Sequence, residues 1–266
     1  MQVKSHVLLC VAVCAASMLL LETGMSWGRL EDPGISEGDI KRAWDDFSRN
    51  SGRANLQGNY PFMECFQKAA IKHQVPLPLL LAVARGESNF DPKAKSNKEC
   101  LGIMQIRWPG TAKDLGITQR SDLFEPCINI DAGARYLSQL LERYKGDPYL
   151  AVAGYNYGPN AVSPNNVPAG ATWYAAYIHR HLRSILSGPF EKTGRVLILE
   201  FTFYKSAAGF MSYLENQVQG LPLEIFKSPK YTYNVYVTYK TLQEQNAYLK
   251  RLRQETGIKP LKEGRL

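Results

Sequence analysis

Glu87 ends an apolar run, Pro78–Glu87, in which Leu80, Val83, Ala84 and Glu87 recur at i, i+3, i+4 and i+7. That spacing is one face of a helix. An acid at the end of an apolar stripe is expensive to leave unpaired. Desolvation and the partial negative charge at a helix C-terminus both favour its protonated form. A carboxylic acid that keeps its proton near neutral pH can protonate the oxygen of a glycosidic leaving group. The competing reading is a glutamate turned out to solvent at a helix end. Asp91, before Pro92, is the next acid and a candidate second carboxylate, although Asp-Pro after a helix is also a turn former. Spacing alone does not place Asp114, Asp122 or Asp131 near Glu87.

Other reactive residue types offer less. His179 and His181 lie two apart, which on a helix points them to different faces, and no CxxC or Cys/His cluster is present, so no metal site is expected. Lys4 and His6 precede an apolar stretch, Val7–Leu21, followed by small residues including Ser26 and Gly28. This pattern predicts a secretory signal over residues 1–28, and hence an exported protein of the periplasm or cell envelope. Cys65, Cys100 and Cys127 then remain, enough in an oxidising compartment for one disulfide and one free thiol. The formal net charge of +8 suits an anionic polymer or surface, and nothing in the chain resembles a nucleic-acid module.

The elements that must position Glu87 are mostly helical. Residues 29–58 are polar and read as a linker or N-terminal extension with a short helix around Ile40–Phe47. Phe62, Cys65, Phe66 and Ala69 form the stripe of a helix before Pro78, which suits the start of the Glu87 helix. Asn129 reads as the cap of the next helix, striped by Ile130, Ala134, Leu137 and Leu141. Asp147–Pro148 caps Tyr149–Tyr157, Gly158–Pro159 stops it, and a last helix runs from Thr172 to about Leu186. After Gly188–Pro189 the β-rich runs Val196–Tyr204 and Tyr231–Tyr239 alternate with the helical runs Ala207–Gln217 and Leu242–Glu255, with a short strand at Leu223–Phe226. The order β–α–β–β–α predicts a small split-βαβ domain over 189–266, which carries 12 Lys/Arg against 7 Asp/Glu. The fold class is therefore α+β, an all-α domain over 59–188 followed by a small α+β domain.

Four motifs surround Glu87–Ser88 in order: Gly102–Ile103–Met104–Gln105, then 109–116, then Asn129–Leu137, and then Ala153–Pro159 with Tyr155–Asn156 inside it. On these motifs residues 60–186 closely resemble the soluble lytic transglycosylase domain, a lysozyme-like helical fold. The resemblance implies an enzyme that cuts the β-1,4 bond between N-acetylmuramic acid and N-acetylglucosamine in peptidoglycan, without water and without a cofactor. One glutamate, Glu87, would protonate the departing oxygen. It would then take the proton of the muramic C6 hydroxyl as a 1,6-anhydro ring closes. The N-acetyl group of the substrate would replace a second protein carboxylate.

By the same resemblance Met104 and Gln105 line the cleft beside the acid, Tyr155 places its hydroxyl near Glu87 to orient it or tune its proton affinity, Asn156 binds substrate or fixes the backbone, and Ser88 supports the helix end and cleft wall. Core packing is the plainer reading for Met104 and Tyr155. The pattern is broken by Gly86 where a larger residue is common, by one extra residue between Gln105 and Pro109 that brings Trp108 near the cleft, and by Tyr157 in place of a small residue. Some relatives of the specialised-secretion type have cysteines at the positions of Cys65 and Cys127, which makes that pair the preferred disulfide over pairings with Cys100, and secretion-apparatus or other envelope proteins are further partners implied. The C-terminal domain resembles the SPOR-type module that binds peptide-free glycan strands, without that module's usual first-strand glutamine. A hydrolytic muramidase on the same fold and a non-catalytic wall-binding adaptor are the competing functions.

Overall fold

The computed structural model describes residues 36–50, 56, 60–187 and 194–261. The expected signal segment 1–28 and the Gly188–Pro189 break lie outside these residues, as do parts of the 29–58 stretch. Among the described residues no helix is long and apolar enough to cross a membrane. The architecture is α+β, with a helical part and a three-stranded sheet inside one compact unit, Ile35–Leu266.

The helical part begins with the short helix expected around Ile40–Phe47. Helix α1 spans Glu37–Asn50, and its stripe of Ile40, Trp44 and Phe47 is buried. Ser36 and Asp39 cap it reciprocally, Asp39 N–H donating to Ser36 Oγ (3.2 Å) and Ser36 N–H to the Asp39 carboxylate (2.8 Å). Helix α2 (Met63–His73) is tied to α5 (Pro126–Arg143) by the Cys65–Cys127 disulfide and by Lys72 and His73 on Asp131. The pairing is the one the resemblance implied, and Cys100 is the free thiol. Burial works against ionisation of Asp131, but hydrogen bonds from Lys72 and His73 prevail and hold its carboxyl below the usual range.

Helices α3 (Leu77–Ser88) and α6 (Pro148–Tyr157) are buried on nearly every side, so they form the centre of the bundle. Pro78 falls in the first turn of α3, and Asp147 caps α6 by accepting from Leu150 N–H. Helix α4 (Gly110–Asp114) and the 3-10 turn Arg120–Phe124 lead into α5, and α7 (Ala169–Ser187) packs along α3. Asn129 is not the cap of α5. Pro126 opens that helix one turn earlier, because its missing N–H is harmless there, and Asn129 is a fully buried interior residue.

The C-terminal part has the expected order. Strand β3 (Gly194–Phe201) is followed by α8 (Tyr204–Gln217), β4 (Leu223–Lys227), β5 (Tyr233–Tyr239) and α9 (Leu242–Thr256). The strands are antiparallel in the order β3-β5-β4. Val196, Ile198, Leu214, Val237 and Leu252 form one small core in this sheet module. Ile225, Val235, Tyr204 and Met211 instead join the core of the helical part. Val235 and Val237 lie two apart on β5, so one face of the sheet serves both cores.

The seam between the two parts holds a buried ionisable group. His181 of α7 is 4% exposed, edge-on to Tyr177 and stacked on Phe226 of β4. Burial, aided by Arg85 and Arg180, holds its imidazole well below the ordinary histidine range. The unfolded chain takes up this proton near its ordinary value of about 6.5. Between that value and the lower folded one the unfolded state binds more protons, so stability falls as pH drops below about 6.5. Thermal melts at neutral pH and near pH 5 should show a loss from this residue of at most about 1.4 kcal/mol per pH unit. His181→Phe should flatten that part of the slope; an unchanged slope contradicts the account.

Candidate functional site

Glu87 is the penultimate residue of α3, and its side chain is only 4% exposed. The helix ends because Asn89 adopts the left-handed conformation (φ 53°). Both carboxylate oxygens have partners. The Tyr174 hydroxyl of α7 donates to Oε1. Lys227 Nζ, at the end of β4, lies 2.9 Å from Oε2, and its own side chain is 5% exposed. The Lys227 ammonium also sits over the rings of Tyr174 (5.2 Å) and Tyr231 (4.9 Å).

Tyr177, one turn after Tyr174 on the same face, fixes the surroundings of this pair. Its hydroxyl donates to the Gly86 carbonyl (2.7 Å) and accepts from Lys227 N–H (2.9 Å). Burial first, and the charge of Glu87 second, push the Tyr155 and Tyr174 phenols well above their ordinary range. Burial does the same to Tyr177, Tyr231 and Tyr233, with Glu87 contributing. These phenols act as neutral donors around a carboxylate.

The segment after Glu87 is shaped by one buried amide. A short hairpin pairs β1 (Cys100–Leu101) with β2 (Ile106–Arg107). Inside its turn Asn129 Oδ1 accepts from Met104 N–H (2.7 Å), and Asn129 Nδ2 donates to the carbonyls of Leu101 and Leu123 (2.9 Å each). Ser88 donates to the Ile103 carbonyl (2.7 Å) and Tyr155 to the Met104 carbonyl (2.8 Å). The turn is thus latched from α3, α5 and α6 together. Gly102 (φ 72°) is required, since a Cβ there would lie 2.1 Å from the Leu123 carbonyl oxygen.

A cleft of about 580 Å³ opens beside Glu87. Its helical wall includes Gln105, Tyr155, Asn156 and Trp173, and its other wall comes from the sheet module with Phe203, Lys227, Tyr231 and Tyr233. Among the described residues lining it, Glu87 is the one carboxylate. Asp91 is the turn former, accepting from Lys93 N–H (2.8 Å), while Asp131 is engaged by α2. His179 and His181 face different neighbours, Trp44 and Phe226.

The sequence-selected residues therefore separate. Glu87, Gln105, Tyr155 and Asn156 line the cleft. The Gln105 amide donates to the Gly102 carbonyl (2.9 Å), with its backbone left-handed at φ 51°. Ser88 supports the wall. Met104 is completely buried, packed so tightly over Gly133 that a Cβ there would come within 2.5 Å, so its side chain stands behind the cleft rather than on it. The Tyr155 ring lies close enough to feel the Glu87 charge, its hydroxyl donating to the Met104 carbonyl, and Tyr174 supplies the hydroxyl bonded to Glu87. Tyr174 was legible only as part of a helix, and Lys227 had no local signal at all, since 140 residues separate it from Glu87.

Residues 64–176 match the family model of the transglycosylase SLT domain. The membrane-bound lytic murein transglycosylase C of Yersinia pestis strain Pestoides F is 34% identical over 117 residues, covering 39% of this chain and 33% of the relative. The protein of the same name from Yersinia pseudotuberculosis serotype O:1b gives the same figures: 34%, 39% and 33%. The chain thus spans about a third of the length of these curated relatives (33%). Among solved structures, an inactive mutant of lytic transglycosylase Slt from Pseudomonas aeruginosa aligns with a TM-score of 0.39 at 21% identity, over 66% of this chain and 28% of that one. The 70 kDa soluble lytic transglycosylase of Escherichia coli gives 0.39 at 18%, over 69% and 32%.

Gly86, the departure from pattern beside Glu87, has a packing cause. A Cβ there would lie 2.5 Å from Ile178 Cδ1 and 3.1 Å from the Tyr177 ring. Ile178 can turn its terminal methyl, but the Tyr177 ring is held at its hydroxyl. Gly86→Ala should therefore destabilise the chain by about 1–3 kcal/mol, read as a lower urea midpoint. An unchanged midpoint would show that α3 and α7 have room to part.

Proposed function

Because residues 64–176 carry a transglycosylase SLT domain, we propose that this chain is a peptidoglycan lytic transglycosylase that cleaves the β-1,4 bond between N-acetylmuramic acid and N-acetylglucosamine. The observation that carries the reading is a buried glutamate, Glu87, standing as the one carboxylate among the described residues of a sugar-sized cleft. A retaining or inverting hydrolase of the ordinary kind uses two carboxylates across the scissile bond. A single one suits a reaction in which the substrate supplies the rest.

In that reaction the Glu87 carboxylic acid gives its proton to the bridging oxygen as the muramic C1–O bond breaks, releasing the next sugar with a free hydroxyl. The substrate's acetamido oxygen holds C1 during this step. The Glu87 carboxylate then accepts the C6 hydroxyl proton while O6 bonds to C1 and the acetamido oxygen leaves. Glu87 ends protonated, as it began, and no water is consumed. Gln105 and Asn156 offer amide donors and acceptors to sugar hydroxyls and acetamido groups. Tyr174 orients Glu87 through Oε1, while Ser88, Met104 and Tyr155 keep the wall in shape behind it. The substrate lies outside the cytoplasm, so residues 1–28 act as an export signal and the enzyme works on glycan strands in the periplasm.

Digestion of purified peptidoglycan, with mass spectrometry of the soluble products, tests this reading. The wild-type chain should release fragments ending in 1,6-anhydromuramic acid. Glu87→Gln should lower their yield by about 100-fold or more, the scale of a lost general acid/base. Reducing ends in place of anhydro ends would make the chain a hydrolase, and full activity in Glu87→Gln would remove the central assignment.

A further inference from the structure

A proton donor needs one oxygen free to face the substrate, and Glu87 has none free in this structure. Oε1 accepts from Tyr174, Oε2 is paired with Lys227, and the side chain is 4% exposed. Tyr174 comes from α7 within the bundle, whereas Lys227 reaches in from the sheet module, which lies beyond the matched SLT domain. Of the two partners, the lysine is the one whose withdrawal leaves the bundle intact. It stands on a flexible four-carbon stem.

We propose that Lys227 is a positioning residue that masks Glu87, and that substrate entering the cleft must displace its ammonium from Oε2 before the acid can work. This rests on the function proposed above. The segment bearing Lys227 is held on both sides of the cleft. Glu224 pairs with Arg85 of α3 (2.8 Å), and the backbone N–H of Lys227 donates to Tyr177. Across the cleft, Asn97 N–H donates to the Pro229 carbonyl (3.1 Å) and the Tyr231 hydroxyl meets Cys100 Sγ (3.1 Å). These contacts set how deeply Lys227 reaches.

The other groups facing Glu87 are Tyr174 and Tyr177 of α7, Tyr155 of α6 and Tyr231 and Tyr233 of the sheet module, all phenols whose ionisation is pushed upward by burial. Lys98, Arg107 and Lys205 also line the cleft, and Lys227 is the cation in ion-pair contact with Glu87. Removing the Lys227 ammonium therefore frees Oε2 without taking another charged partner from Glu87.

The test compares the full-length wild type with Lys227→Met and Glu224→Gln, following anhydro-product release against substrate concentration from pH 5 to 9. With the mask removed, Lys227→Met should turn over about tenfold faster, the rate change that corresponds to about 1.4 kcal/mol of displaced contact. Its KM should fall as well. Glu224→Gln, which loosens the segment and leaves Lys227 in place, should change both in the same direction by less. A folded Lys227→Met no faster than wild type, with its KM unchanged, overturns the mask. If Lys227→Met fails to fold, judged by circular dichroism, Glu224→Gln decides, and no gain there overturns it equally. Absence of anhydro products from every form would instead remove the function on which the mask rests.

Discussion

Taking a carboxylate out of water is unfavourable unless its charge and lone pairs are met inside the protein. Glu87 is buried to that degree, and its partners arrive from separate regions of the chain: Tyr174 from α7 and Lys227 from the end of β4. The arrangement of α3, α7 and the sheet is bound to this one requirement. Tyr177 supplies the link, because its single hydroxyl grips the Gly86 carbonyl on one side and the Lys227 amide on the other. A side chain at position 86 would wedge the two helices apart just where that hydroxyl must reach. The absence of a side chain beside Glu87 and the presence of a lysine opposite it are thus parts of the same construction.

A second constraint acts on the turn that faces Glu87. A turn carrying several backbone groups cannot be buried without partners for them. Asn129 meets two carbonyls and one amide at once, and Ser88 and Tyr155 meet two more carbonyls. The motif residues around Gly102–Gln105 therefore work mostly on the backbone. Only Gln105 among them presents its side chain to the cleft, and it does so from a left-handed conformation that the latched turn imposes.

How much of this was legible depended on the range of the interaction. Periodicity placed α3, and the capping signals at Asp147–Pro148 placed α6, because these are local effects of spacing and unmet N–H groups. The β–α–β–β–α order was legible for the same reason. Asn129 has the residue type of a helix cap, and Pro126, three residues earlier, was the stronger start. What made Asn129 useful was a turn 25 residues away, which no local pattern reveals. Which hydroxyl bonds Glu87 is not fixed by any local pattern, since Tyr155 and Tyr174 both lie in helices that pass the site. Lys227 looked like one more cation of a basic module. Its partner is fixed only when a strand packs across α3.

The position of that lysine changes how the basic character of the chain is understood. A net excess of cations reads from composition as an outward surface for an anionic polymer. Here part of the excess is gathered at one place, with the exposed Lys98, Arg107 and Lys205 and the buried Lys227 lining the same cleft as Glu87. Charges between low-dielectric walls focus their field along the cleft rather than spreading it over the surface. The sheet module contributes two of these four cations together with Phe203, Tyr231 and Tyr233, so it forms a wall of the cleft as well as a neighbour of the bundle. Its strand β4 ends where the carboxylate needs a counter-charge, and its loops end where the cleft needs aromatic faces. The same packing of sheet on helix meets both needs.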